Sequence, residues 1–297
     1  MTAPAVYFPV EAAPLRMAPR LRPFGTDFGN GAADAIFFQR DRDFGDYCAV
    51  KRSLGAGTPK SPLRLRAENN AEQEAHAAAL SWAEATLASE QPGALAPPSP
   101  RQPVKARWEK LALAVQEDLV LVQRDAHRRD RVIGSHVCFP SAWRTEAIID
   151  HGFRAIHSPV PGFAEREETA QSLVDAMIER GPYVRFVWTV TADGHLDHHP
   201  DHGHLQSWAP SNENGWLRVE RQVTVPLPEV AGALFLIRTY RTPFAALGRE
   251  QQNTLAAAIQ QLPDDVAEYK GVDRAIVMDA LDAVAAKPSR ARGDSIS

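Results

Sequence analysis

Residues 216–225 read WLRVERQVTV, and residues 233–240 read ALFLIRTY. Side chains along a strand point to opposite faces in turn. Leu217, Val219, Arg221, Val223 and Val225 therefore share one face, and Arg218, Glu220, Gln222 and Thr224 share the other. The link to the second stretch is short, which suits antiparallel pairing. Working outward, DLVLVQ (118–123), RVIGSHVCF (131–139) and VRFVWTV (184–190) read as further strands, with a short strand or turn at 35–38. Helical spacing marks 46–54, 68–90, 169–180, 249–262 and 272–285, and Gly181–Pro182 stops the third of these. Adjacent strands with separate helices predict an α+β fold on an antiparallel sheet.

The chain has 297 residues, enough for one large domain or two small ones at roughly 150 residues each. Its 44% hydrophobic and 24% charged residues are those of an ordinary globular protein and exclude wholesale disorder. Two cysteines, Cys48 and Cys138, exclude a disulfide framework and a four-cysteine iron–sulfur cluster. Thirty-seven acidic against 33 basic residues give a net charge of −4, which argues against a nucleic-acid partner. No segment approaches the ~20 apolar residues of a membrane helix, and the N-terminus lacks a signal-peptide pattern. A cytoplasmic protein with reduced thiols is expected. Residues 1–39 read as an extended arm, 40–286 as one domain, and 287–297 as a flexible tail. The proline-rich QPGALAPPSPRQP (91–103) reads as a surface loop rather than a domain boundary.

Three constellations carry chemistry. Arg221 sits in an apolar row, and a buried guanidinium needs an anion or several acceptors. A protein carboxylate and a ligand carboxylate both satisfy that need. His157 lies in AIHSPVPGF (155–163), where Pro159 and Pro161 push Ser158 and Val160 toward extended geometry. Such a stiff segment presents an imidazole to a metal at little entropic cost; a loop histidine bonded to a neighbouring carbonyl is the plainer reading. HLDHHPDHGH (195–204) holds half of the ten histidines, but Gly194, Pro200 and Gly203 break any regular helix. A solvated loop is expected there, with a zinc site as the alternative. Nucleotide-binding loops, the GxSxG elbow and CxxCH are all missing from the sequence. Any haem would therefore be held non-covalently. Cys138, in an apolar strand, reads as a small core residue.

The order of several segments resembles the haem-dependent oxidative N-demethylase alpha subunits, a family that includes dimethylamine monooxygenase subunits. Those segments are YCAVKRSL (47–54), VQEDLVLV (115–122), FPSAW (139–143), IHSPVPG (156–162), RVERQ (218–222), ALFLIRTY (233–240) and YKG (269–271). The resemblance covers about residues 40 to 275 and implies a PAS-like antiparallel sheet with surrounding helices, cradling haem b. It implies oxygen-dependent oxidation of a small methylated amine with release of formaldehyde, and electrons from a separate NAD(P)H-dependent reductase. His157 is carried over as the axial ligand and metal-binding residue, and Arg221 as a propionate or pocket residue. Trp143 and Glu220 match the motifs and are the expected catalytic positions. Two departures bear on substrate. Ala147 follows Glu146 where the family pattern often has lysine, and Val187 stands where it often has asparagine. A haem sensor or carrier without turnover, and a PAS-like scaffold that has lost haem, are the competing readings.

Overall fold

The computed structural model describes residues 7–12, 20–55, 60–96, 102–163, 167–210 and 214–286. In chain order its elements begin with β1 (Arg22–Pro23), α1 (Phe44–Ser53), β2 (Leu63–Leu65), α2 (Asn70–Glu90) and α3 (Val104–Ala114). Then come β3 (Asp118–Arg124), β4 (Asp130–His136), α4 (Phe153–His157), α5 (Glu167–Glu179) and β5 (Tyr183–Thr191). The last are β6 (Trp216–Leu227), β7 (Gly232–Pro243), α6 (Arg249–Gln260), α7 (Asp264–Tyr269) and α8 (Arg274–Ala286). The strands form one sheet in the order β1-β5-β6-β7-β3-β4-β2, and every neighbouring pair is antiparallel. The architecture is α+β, as the alternation predicts.

Both faces of this sheet are covered, each by different partners. On one face Leu217 and Val219 of β6 pack with Leu255 and Ile259 of α6 and with Leu281 of α8. Along the same face Leu119 and Leu121 of β3 meet Leu80 and Leu87 of α2 and Leu111 of α3. A fully buried leucine contributes about 1.5–3 kcal/mol, so this face carries the principal core. The opposite face is roofed by α4, α5 and the segment 137–163, and packing there is incomplete.

Local sequence explains the long helices. Asn69 caps α2 by accepting the Glu72 amide at 3.0 Å. Ala75, Ala79, Ala83 and Leu87 then recur every four residues and lie buried on one side. Gly134 lets β4 approach closely, because an added Cβ would lie 2.9 Å from the His76 ring. Several expectations need correction. Residues 137–139 leave the sheet, so the strand predicted at 131–139 ends at His136. Residues 31–35 form a 3-10 turn beside the strand or turn expected at 35–38. Within the N-terminal arm, Tyr7, Val10 and Phe38 are core residues, and β1 pairs with β5. Parts of the arm, part of the proline-rich loop and the C-terminal tail lie outside the described residues.

Candidate functional site

A cleft of about 1800 Å³ opens on the under-packed face and runs past the β5 edge to Tyr7, Phe28 and Phe186 of the helix-covered side. Ordinary ligand pockets run to about 1,000 Å³, so this one has room for a large planar guest together with a small one. Strand alternation builds its floor. Val120 and Val122 of β3 and Phe235 and Ile237 of β7 present an apolar surface, with Val132 beside them. Beyond it, Arg218, Glu220 and Gln222 of β6 and Arg185 of β5 form a polar strip on the same wall.

That strip is one hydrogen-bonded chain. Arg185 Nε donates to Gln222 Oε1 at 2.7 Å, and Gln222 Nε2 donates to Glu220 Oε2 at 2.8 Å. Ser141 Oγ donates to Glu220 Oε1 at 2.6 Å, and Arg218 Nε donates to Ser141 at 2.9 Å. Arg218 is further fixed by the carbonyls of Phe139, Pro140, His195 and Leu196. Every side chain in the chain is held by a neighbour, so the strip is pre-organised.

The FPSAW segment forms one rim. Asp118 pins it by accepting the backbone amides of Cys138 and Phe139, both at 2.9 Å. Burial raises the Asp118 carboxyl to about 7, with Lys51 and those amides opposing. Ala142 has φ +63°, a conformation that costs an alanine about 1–2 kcal/mol. Its neighbours Ser141 and Trp143 both line the cleft, so the strain lies where the rim meets the site.

His157 stands across the cleft from the sheet and lines it. It ends the short helix α4 rather than an extended proline segment, and Ser158 is helical at φ −56°, ψ −30°. The helical turn outweighs the extended bias of the following proline because it delivers a bond. Nδ1 lies 2.8 Å from the Phe153 carbonyl and must carry the proton to donate to it. Nε2 is then the lone-pair atom, and no protein partner for it is found among the described residues. Metal-ligating histidines usually have this arrangement, one nitrogen bonded to a carbonyl and the other free. Phe153 stacks on the ring at 3.9 Å and Phe163 at 5.7 Å. Burial, with the Arg185 charge assisting and the Phe153 carbonyl opposing, lowers the imidazole to about 4. The ring is neutral at physiological pH and open to a metal.

The outer wall carries Lys270 and Tyr269. Lys270 Nζ donates to the Trp188 carbonyl at 2.8 Å, and burial lowers its amine to about 8 while Glu220 opposes. Burial raises the Tyr269 hydroxyl, and Glu220 adds to this. Both residues are thus within electrostatic reach of Glu220.

The structure brings His157, Trp143 and Glu220 to one cleft and leaves Arg221 out of it. Arg221 lies on the opposite face, donating to the carbonyls of Ile36 at 3.0 Å and Asp34 at 3.4 Å. Backbone oxygens from the arm accept from Nη2, while the buried Nε has no hydrogen-bond partner among the described residues; Arg221 does not line the cleft. Arg185 and Lys270 are cleft residues that the sequence reading missed. For Arg185 a signal existed, since its register partner Gln222 belongs to RVERQ.

The histidine-rich loop also differs from expectation. His198 and His199 are buried, and each histidine of the inner group faces a carboxylate. His198 pairs with Asp193 at 2.8 Å, His202 with Asp197 at 2.7 Å and His199 with Glu146 at 3.0 Å. Glu146, His199 and Asp201 are close enough to surround an ion. However, His199 uses both ring nitrogens, accepting the Asp201 amide at Nδ1 and meeting Glu146 at Nε2. Arg144 grips the Asp201 carboxylate with two bonds. The loop is a self-satisfied polar network.

The cleft thus has an apolar floor, a neutral histidine with one free nitrogen and a rigid polar wall. No helix among the described residues is long and apolar enough to cross a membrane. The profile of one protein family, described as haem-dependent oxidative N-demethylase, alpha subunit-like, matches residues 82–277. That span includes the sheet from β3 to β7, the FPSAW rim, His157 and the polar strip, and the chain belongs to this family.

Proposed function

We propose that this chain is the haem-binding catalytic subunit of an oxygen-dependent system that removes a methyl group from a small methylated amine as formaldehyde. One observation carries the reading: His157 is fixed through Nδ1, and its Nε2 has no partner among the described residues, beside an apolar cleft large enough for a macrocycle. The sheet is read as PAS-like and the cofactor as haem b, which His157 would hold non-covalently through Nε2. When bound, haem supplies oxygen binding and one-electron chemistry. The floor residues Val120, Val122, Phe235 and Ile237 give the porphyrin an apolar seat and exclude water.

Glu220 and Trp143 are assigned to the amine. Each Glu220 oxygen already accepts one hydrogen bond, and a carboxylate oxygen has a second lone pair for an ammonium proton. The Trp143 face suits a methylated cation. Lys270, partly deprotonated near pH 8, lies in the field of Glu220 and is placed to take up a proton from the bound amine. The overall conversion balances as amine, oxygen, two electrons and two protons giving demethylated amine, formaldehyde and water. The electrons are assigned to a separate NAD(P)H-dependent reductase, consistent with an alpha-subunit family. A cytoplasmic location is part of the same reading.

The test is spectroscopic first. Protein purified after expression with haem supplied is expected to show a Soret band, and His157→Ala to lose or shift it. An unchanged haem content and spectrum in that variant would remove the ligand assignment. With an electron donor, dimethylamine is expected to yield formaldehyde. A Soret band with no formaldehyde from any methylated amine would instead identify a haem-binding sensor.

A further inference from the structure

The polar wall holds a guanidinium whose paired terminal nitrogens are unanswered among the described residues. Among the buried or half-buried cations of the cleft, Arg218 is gripped by carbonyls and Ser141, and Lys270 by the Trp188 carbonyl. Arg185 donates only through Nε, to a neutral amide. Its two terminal nitrogens have no hydrogen-bond or ion-pair partner among the described residues. Desolvation lowers its pKa, and the one carboxylate that opposes this, Glu220, makes no hydrogen bond or ion pair with it. A guanidinium drawn out of water without an anion is costly unless a guest supplies one. Meanwhile Gln222 fixes the plane of the fork, so little order remains to be lost on binding.

We propose that Arg185 is the carboxylate receptor of this cleft, gripping a guest carboxylate through its paired terminal nitrogens. A planar fork matches a carboxylate with two parallel hydrogen bonds. Two guests carry that group: the porphyrin, through its propionates, and a substrate of the N-methyl amino acid class, through its own carboxylate. The first source rests on the haem reading above; the second does not require it. Arg185 lies near enough to His157 for its charge to depress the imidazole.

The experiment compares wild type with Arg185→Gln and Arg185→Lys, each checked for folding by its thermal melt. Two probes separate the sources. The first is the rate at which protohaem, and separately protohaem dimethyl ester, passes from the loaded protein to excess apomyoglobin. The second is calorimetric titration of the haem-free chain with sarcosine and, separately, with dimethylamine. If the porphyrin is the guest, Arg185→Gln releases protohaem about tenfold faster and leaves the dimethyl ester unaffected. If the substrate is the guest, Arg185→Gln weakens sarcosine about tenfold while dimethylamine is unchanged. Arg185→Lys keeps the charge but loses the fork, and falls between. Equal behaviour of both variants and wild type toward protohaem and toward sarcosine overturns the proposal. Failure of the wild-type chain to take up haem would sink the haem reading alone, because the sarcosine arm still decides the role of Arg185.

Discussion

Burial of His136 in β4 lowers its imidazole to about 3, with the Lys51 charge assisting. The groups facing it are Lys51 from α1 and the Cys138 thiol, whose Sγ lies 3.8 Å from Nδ1. A histidine kept neutral in the folded state takes up a proton on unfolding at any pH between its two pKa values. Its contribution is therefore full above about 6.5 and declines as the pH falls toward about 3. Asp118 acts in the opposite sense. Its carboxyl is raised to about 7 in the fold, so it binds the proton in the native state and its contribution declines as pH rises from about 4 to 7. The two overlap in the wild-type profile, and a difference isolates the histidine. The stability gap between wild type and His136→Gln is expected to shrink by about 2 kcal/mol between about pH 7 and about pH 5. Urea unfolding of the haem-free proteins at both values measures it. A gap that holds constant would show that His136 is not held neutral.

Helix α3 shows why some elements were hidden in the sequence. The predicted α2, α5 and α6 carry their own start and stop signals, such as Asn69 before α2 and Gly181–Pro182 after α5. VKARWEKLALA has neither a polar N-cap side chain nor a terminal glycine. Its stop comes from another element. Lys51 of α1 is fully buried and donates to the carbonyls of Ala112 and Val115, both at 3.0 Å, and of Glu117 at 2.6 Å. An ammonium at a helix C-terminus satisfies carbonyls that the helix cannot, and no local pattern reveals that it will arrive. Short α4 is a similar case, since five residues are far below the length at which an isolated helix persists. Its Phe153 amide is held by Asp130 of β4. Lys51→Met should strand three buried carbonyls and destabilise the fold by about 2–4 kcal/mol. The denaturation midpoint reads this directly, and a loss below about 0.5 kcal/mol would show that water or side-chain movement replaces the ammonium.

Across the whole molecule, the sheet carries its principal core on one face and lines the cleft with the other, and this explains the one misplaced site residue. Alternation splits β6 into two rows, but it does not tell which row meets helices and which meets a cavity. In the protein the polar row Arg218, Glu220 and Gln222 lines the cleft, and the mostly apolar row with Arg221 faces the helices. An arginine among valines therefore marked the structural face, where arm carbonyls accept from its Nη2. What roofs the second face is non-local information, and β6 alone could not supply it. The division predicts unequal costs at adjacent residues of one strand. Leu119 points into the helix-covered core, and its neighbour Val120 lines the cleft. Leu119→Ala should cost about 2–5 kcal/mol, because rigid neighbours leave a void. Val120→Ala removes two methyl groups whose outer side faces open space, and should cost about 1 kcal/mol while hastening haem release, because the seat loses apolar contact. Urea unfolding of the haem-free variants measures the first quantity, and haem transfer to apomyoglobin the second. Equal destabilisation by the two substitutions would mean that the cleft floor is packed as tightly as the helix side. The face that holds the family's motifs would then have no room for a guest.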